Sequence, residues 1–272
     1  MTNATITPVS QRNLKNRVRL GVTIQNAFTL AYRAVLKMLH SPESFADVAF
    51  MPIMFTLLFT FVLGGAISGN IPQYLPIIIP GILLQTFVTS CSSAGTQLRE
   101  DVDKGITNRF QSMPIARIAP LAGILIADLV RYVLAGIIVF IMGAILGYRP
   151  AAGIPAMVFS VLLMMVVAWC LSWLFAFIGM IVKSAGTVSM LSMLVMFPLV
   201  YLSNALVPAE TLPGWLQFFV LHINPLSRVV TAVREMLAFG TIGADFWFSL
   251  LGALILLAIF APLTTIAYKR RA

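Results

Sequence analysis

Charge is what this chain has least of: Asp, Glu, Lys and Arg make up 10% of its 272 residues, while 60% are hydrophobic. Soluble domains carry about 25% charged residues, so a water-soluble globule is excluded. No charged residue occurs between Asp47 and Arg99, between Arg149 and Lys183, or between Asp245 and Lys269. Each gap is long enough for one or more membrane spans of about 20 residues. Cysteine and histidine are scarce too, at two each. Cys91 and Cys170 fall inside apolar runs and read as small apolar side chains, not as a disulfide. His40 and His222 belong to opposite membrane surfaces, which excludes a metal site built on them. No Gly-rich loop followed by Lys and Ser or Thr exists, so this chain does not hold ATP in a P-loop. The first 40 residues lack an apolar core with a small-residue cleavage site, and a removable signal peptide is not expected.

What remains is an all-α polytopic membrane protein, with organisation set by its breakers. Leu20, Ile24, Ala27, Phe28, Ala31 and Val35 recur at helical spacing opposite Arg19, Asn26, Arg33 and Lys37, the pattern of an amphipathic helix lying at a membrane surface over residues 17–41. Six spans follow, at about Ala46–Ile67, Tyr74–Gln97, Ile118–Leu146, Ile154–Val182, Thr187–Leu206 and Asp245–Tyr268. Between the last two, residues 207–244 are apolar but broken by Pro208, Pro213, Gly214, Pro225, Gly240 and Gly243. They read as an external re-entrant hairpin of two short helices. One opens at Pro213 and carries Trp215, Phe218 and Phe219; the other opens at Pro225 with Asn224 as N-cap. No internal repeat and no second domain is visible, so residues 1–272 form one transmembrane domain.

The 18 Lys and Arg outnumber 9 Asp and Glu. In a soluble chain that excess would suggest nucleic acid; here the positive-inside rule accounts for it. With the N-terminus in the cytoplasm, 14 of the 18 fall on the inner side, three fall outside (Arg149, Arg228 and Arg234), and Arg131 lies within a span. Both termini are therefore expected in the cytoplasm.

Residues 98–117 are the most polar stretch, including Arg99, Glu100, Asp101, Asp103, Lys104, Arg109 and Arg117. Gly105 ends one helix and Pro114 limits the next, leaving a short cytoplasmic helix with Phe110 as an apolar contact. Such a helix suits docking in a partner's groove; an ordinary solvated loop has the same composition. Asp128 and Arg131 stand three apart on one helical face within a span, where ionisable groups are costly. They form either a neutralised pair that locks packing or part of a transport path. Met190, Met193 and Met196, with Phe197 and Tyr201, form a candidate flexible apolar surface, for which lipid contact or helix packing is the alternative. Trp215 and its aromatic neighbours suit an external gate or simple interfacial anchoring.

The run from Glu100 to Arg117, continuing through Asp128 and Arg131, resembles the first cytoplasmic loop and third span of type-2 ABC exporter permeases, especially the daunorubicin-resistance-like drug efflux branch. A second resemblance is Phe197-Pro198-Leu199-Val200-Tyr201-Leu202-Ser203-Asn204-Ala205-Leu206-Val207-Pro208, continuing through Leu212-Pro213-Gly214-Trp215 to Asn224-Pro225-Leu226 and Val233-Arg234. The resemblance implies a half-transporter in a bacterial cytoplasmic membrane. Two permease copies would pair with two ATPase subunits, which carry ATP and Mg; this chain itself would bind no cofactor or metal. Glu100, Gly105, Arg109, Phe110, Ser112, Pro114 and Arg117 would couple to the ATPase, and Trp215, Asn224, Pro225 and Arg234 would belong to the hairpin. The expected cargo is a hydrophobic or amphipathic drug-like compound. A lipid or envelope polymer, and less readily an ATP-independent channel or membrane enzyme, are the competing readings.

Overall fold

The computed structural model describes residues 20–40, 42–106, 119–208 and 212–271. The regular elements among these residues are all helical, with no strand among them. The helices are α1 (Leu20–His40), α2 (Pro42–Ser68), α3 (Ile71–Asp103), α4 (Ala119–Ile145), α5 (Gly153–Ile181), α6 (Ala185–Tyr201), α7 (Gly214–Phe218), α8 (Pro225–Phe239) and α9 (Ala244–Arg271). A π-helical turn, Phe219–Ile223, extends α7.

Turn chemistry explains the joints. Gly69 takes φ +72°, a conformation other residues avoid, and Asn70 then caps α3 by accepting the Gln73 N–H at 3.1 Å. Ser184 caps α6 in the same way, through Thr187 N–H at 3.3 Å. Asn224 caps α8, taking the Leu226 N–H at 3.0 Å, with Pro225 in the first turn. The two short helices expected between 207 and 244 are thus present, and α7 with its π turn meets α8 at an 80° bend.

α3 is the central element, buried at Tyr74 and Leu75 and from Ile78 to Val88, and packed against α2, α4, α5 and α6. Its approach to α5 is backbone on backbone. A Cβ on Gly95 would collide with the Phe175 carbonyl, and one on Gly179 with the carbonyl of Gly95. α1 packs on α4 with Ala31 buried, while Phe28, Tyr32 and Arg33 are exposed.

Among the described residues, four helices are long and apolar enough to cross a membrane: α3, α4, α5 and α9. The count becomes five if the bent α7–α8 pair is one span. α2 and α6 contribute shorter apolar stretches, Ala49–Gly65 and Ala185–Tyr201, so length and composition alone reach four or five where the sequence suggested six. Two boundaries also move. α3 continues past Gln97 to Asp103, so Glu100 rides on its last turn. The expected fifth span, Thr187–Leu206, stops being helical after Tyr201, because the carbonyl groups beyond it are claimed by side chains from elsewhere.

Replacing Gly179 by Val should force α3 and α5 apart at a cost of about 1–3 kcal/mol. The expected result is a lower midpoint in a detergent thermal-unfolding scan and a smaller monodisperse fraction on size exclusion. Gly65→Ala, whose new Cβ meets nothing within 4 Å, should behave like the parent.

Candidate functional site

Polar side chains inside α3 mark one face of the helix. Gln85, Thr89, Ser92 and Thr96 recur at steps of four, three and four, which keeps them on one side of the helix. α6 lies along that side. Gln85 Nε2 donates to the Tyr201 hydroxyl at 3.2 Å, Thr89 Oγ1 to Met196 Sδ at 3.6 Å, and Thr96 and Ser189 share a hydrogen bond of 3.1 Å. Three rungs thus tie α3 to α6. The sequence carried the sign of this seam in the run Gln85-Thr86-Phe87-Val88-Thr89-Ser90-Cys91-Ser92-Ser93. It did not show which helix would answer it.

The next face of α6 is uncovered. Met190, Met193 and Phe197 are 74%, 61% and 53% exposed, and Tyr201 continues the row with its ring centroid 4.5 Å from that of Phe197. Met196 leaves this row and turns to α3. Two successive three-residue steps from Met190 rotate it by about 120°, whereas the steps to Met193, Phe197 and Tyr201 nearly cancel.

Asp128 and Arg131, on α4, face the same α3 segment from behind. Asp128 is 1% exposed, and Arg131 Nη1 lies 3.5 Å from its Oδ1. The shorter bonds of the guanidinium run to α3. Arg131 Nη1 donates to Ser93 Oγ at 2.9 Å. With the Gln97 amide oriented oxygen-first, that oxygen accepts from Nη1 at 2.5 Å and Nη2 at 2.8 Å. Asp128 Oδ2 has no hydrogen bond among the described residues. The pair therefore acts as a bridge from α4 to α3 at Ser93 and Gln97.

At the hairpin end, the segment after Tyr201 is held by three donors. Arg234 Nη2 reaches the carbonyls of Asn204 at 2.6 Å, Ile77 at 2.9 Å and Ala205 at 3.3 Å. Asn224 Nδ2 serves those of Leu202 at 2.6 Å and Leu199 at 2.9 Å. The Tyr74 hydroxyl donates to the Leu206 carbonyl at 2.8 Å. Gly81 makes room for this segment, since a Cβ there would strike the Ala205 carbonyl. Asn224, Pro225 and Arg234 are thus gathered at one joint, while Trp215 stands exposed on α7.

At the opposite end of α3, Glu100 accepts from Lys104 Nζ at 2.8 Å, and Arg99 pairs with Asp103. The Glu100 hydrogen bond, and then its charge, raise the Lys104 pKa. Gly105 ends the segment at φ +68°. Arg109, Phe110, Ser112, Pro114 and Arg117 lie outside the described residues. Both cysteines are buried and free.

Residues 25–238 match a protein family described as the ABC-2 type transporter. The daunorubicin resistance ABC transporter permease protein DrrB1 of Streptomyces coeruleorubidus is 36% identical over 254 residues, 92% of this chain and 88% of that protein. The Mycobacterium tuberculosis protein named "Probable doxorubicin resistance ABC transporter permease protein DrrC" is 26% identical over 189 residues, 68% of this chain and 66% of that one.

Arg131→Gln would strand the buried Asp128 carboxylate, at a cost on the order of 3–5 kcal/mol. Asp128→Asn leaves the guanidinium on Ser93 and Gln97 and should cost less. The double variant should lose less than the two single losses added, as read from thermal unfolding in detergent. Equal single losses that simply add would show that the two groups do not interact.

Proposed function

This chain belongs to the ABC-2 type transporter family, as a multi-pass permease whose ATPase is a separate protein, and from that premise we propose how it works and what it carries. It exports a hydrophobic or amphipathic drug-like compound by alternating access. The observation that carries this reading is the seam: a polar α3 face inside a bundle of membrane-crossing helices, beside the uncovered row Met190, Met193 and Phe197, with the half-buried Tyr201 at its end. Polar groups in a span belong against protein or a wet path, and thioethers with aromatic rings accept varied apolar shapes. The relatives named for daunorubicin and doxorubicin resistance favour a planar aromatic amphipath as cargo.

In this reading α2, α3, α4, α5, α6 and α9 are the six spans. The 17 apolar residues of α6 and of Ala49–Gly65 meet the lower limit of about 17 for a spanning helix. α1 lies at the inner surface and α7–α8 form the external hairpin, with both termini in the cytoplasm of a bacterial cell. Two copies of the chain face each other across their seams, and two ATPase subunits press on residues 98–117. Glu100 sits on the last turn of α3, so force applied there travels directly into the seam. Arg109, Phe110, Ser112, Pro114 and Arg117 complete the docking segment. ATP and Mg are held by the ATPase. No residue of the permease carries out covalent chemistry.

Purification from native membranes should bring down a P-loop ATPase. Proteoliposomes holding both proteins should take up daunorubicin only with ATP. Phe197→Ala should raise KM for the drug several-fold at similar kcat, the mark of weakened uniform binding. Absence of a co-purifying ATPase, or uptake indifferent to ATP, would overturn the reading. Glu100→Ala and Arg109→Ala should preserve insertion but uncouple hydrolysis from uptake; tight coupling in both would return residues 98–117 to a plain solvated loop. In a background without Cys91 and Cys170, Asp103→Cys should be shielded from an impermeant thiol reagent in intact cells and Glu210→Cys should react.

A further inference from the structure

On the side of α6 away from the seam, a cavity of about 560 Å³ opens between α5, α6, the hairpin and α9. Leu171, Leu194, Pro198, Val229, Gly252 and Leu256 are among its walls. Its volume lies within the range of about 300–1,000 Å³ usual for small-molecule sites. Two polar side chains line it, and both are already engaged. Asn224 serves the Leu199 and Leu202 carbonyls and caps α8, and Ser249 Oγ donates to the Asp245 carbonyl at 2.6 Å. Water needs two to four polar partners to occupy such a space, so the interior suits hydrocarbon.

The shape supplies a second constraint. Ser249, Gly252, Ala253, Leu256 and Phe260 line the cavity along one stripe of α9. From Ser249 to Phe260 the helix rises about 16 Å over eleven steps, close to half of the ~30 Å hydrocarbon thickness of a bilayer. One turn beyond Ser249, at the end where α9 begins, Arg228 Nη1 meets Asp245 Oδ1 at 2.7 Å, with side chains 42% and 19% exposed. The guanidinium also lies over the Phe248 ring, 5.3 Å from its centroid, and Trp247 is exposed beside it. A cation and an anion held together among aromatic residues match the setting of a lipid headgroup.

We propose that this cavity holds one acyl chain of a phospholipid from the leaflet on the hairpin side, with its headgroup on the Arg228–Asp245 pair. The site favours a zwitterionic phospholipid, whose phosphate meets Arg228 and whose ammonium meets Asp245. A purely anionic headgroup would satisfy Arg228 and be repelled by Asp245. The bound chain backs α6 from behind, where the protein itself provides no packing. This inference requires only that the bundle sits in a membrane, so it stands or falls separately from the drug-export reading.

The test uses the full chain in proteoliposomes containing phosphatidylethanolamine with a mid-chain diazirine. After irradiation, the label should concentrate on peptides carrying Leu194, Pro198 and Leu256, above the level at the outward-facing Ile141. Gly252→Phe should reduce cavity labelling several-fold while leaving Ile141 unchanged, since a Cβ at Gly252 meets nothing within 4 Å. Leu194→Trp, entering from the open side, should do the same and guards against a folding defect in the first variant. Arg228→Gln should also lower it, and diazirine-labelled phosphatidylglycerol should label less than phosphatidylethanolamine. Equal labelling of cavity and outer surface, unchanged by Gly252→Phe and Leu194→Trp, would overturn the proposal. So would disulfide cross-linking of Gly252→Cys between two copies, which puts a second chain in the cavity. Loss of label on adding daunorubicin would overturn it as well, by assigning the cavity to transported compound.

Discussion

A buried backbone carbonyl that leaves its helix must find a donor within the protein, because hydrocarbon offers none. That constraint governs the region after Tyr201. α6 ends there, and the carbonyls of Leu199, Leu202, Asn204, Ala205 and Leu206 are met by Asn224, Arg234 and Tyr74. The donors come from two elements, and each is itself fixed: Asn224 as the cap of α8, Arg234 along α8, and the buried Tyr74 on α3. The break in α6 and the placement of the hairpin are therefore one structure. Neither can be altered without releasing the other.

The same economy shapes the intramembrane charges. Arg131 spends its planar, multi-donor head on Ser93 and Gln97 as well as on Asp128. A lysine could offer charge there but not the fork geometry. Charge inside the bundle thus joins α4 to α3.

Features written in local chemistry were readable from the sequence. The α7–α8 pair followed from Pro213, Asn224 and Pro225, and the end of α3 near Gly105 from a glycine that alone tolerates positive φ. The charge-free runs foretold the long helices. What the sequence concealed depends on partners distant along the chain. The stop after Tyr201 is dictated by Arg234, more than thirty residues on, and Pro198 alone would not have placed it. The seam was visible as polarity in α3, but its match with Ser189, Met196 and Tyr201 is a matter of register between two helices. Met196 turns toward α3 because a repeat of three resembles a helical stripe over one step and departs from it over two.

The glycine contact between α3 and α5 has a mechanical meaning. Where long side chains separate two helices, rotamer changes can absorb small sliding displacements. Where the Gly95 and Gly179 backbones touch, no such cushion exists, and the two helices behave as a single beam running from the Glu100 end toward the hairpin. α6 leans mainly on α3 and only lightly on α5, joined by three hydrogen bonds along its length and clamped at one end. The stiff member and the compliant one are thus neighbours, and any displacement of the beam would be taken up first at the edge where α6 meets it.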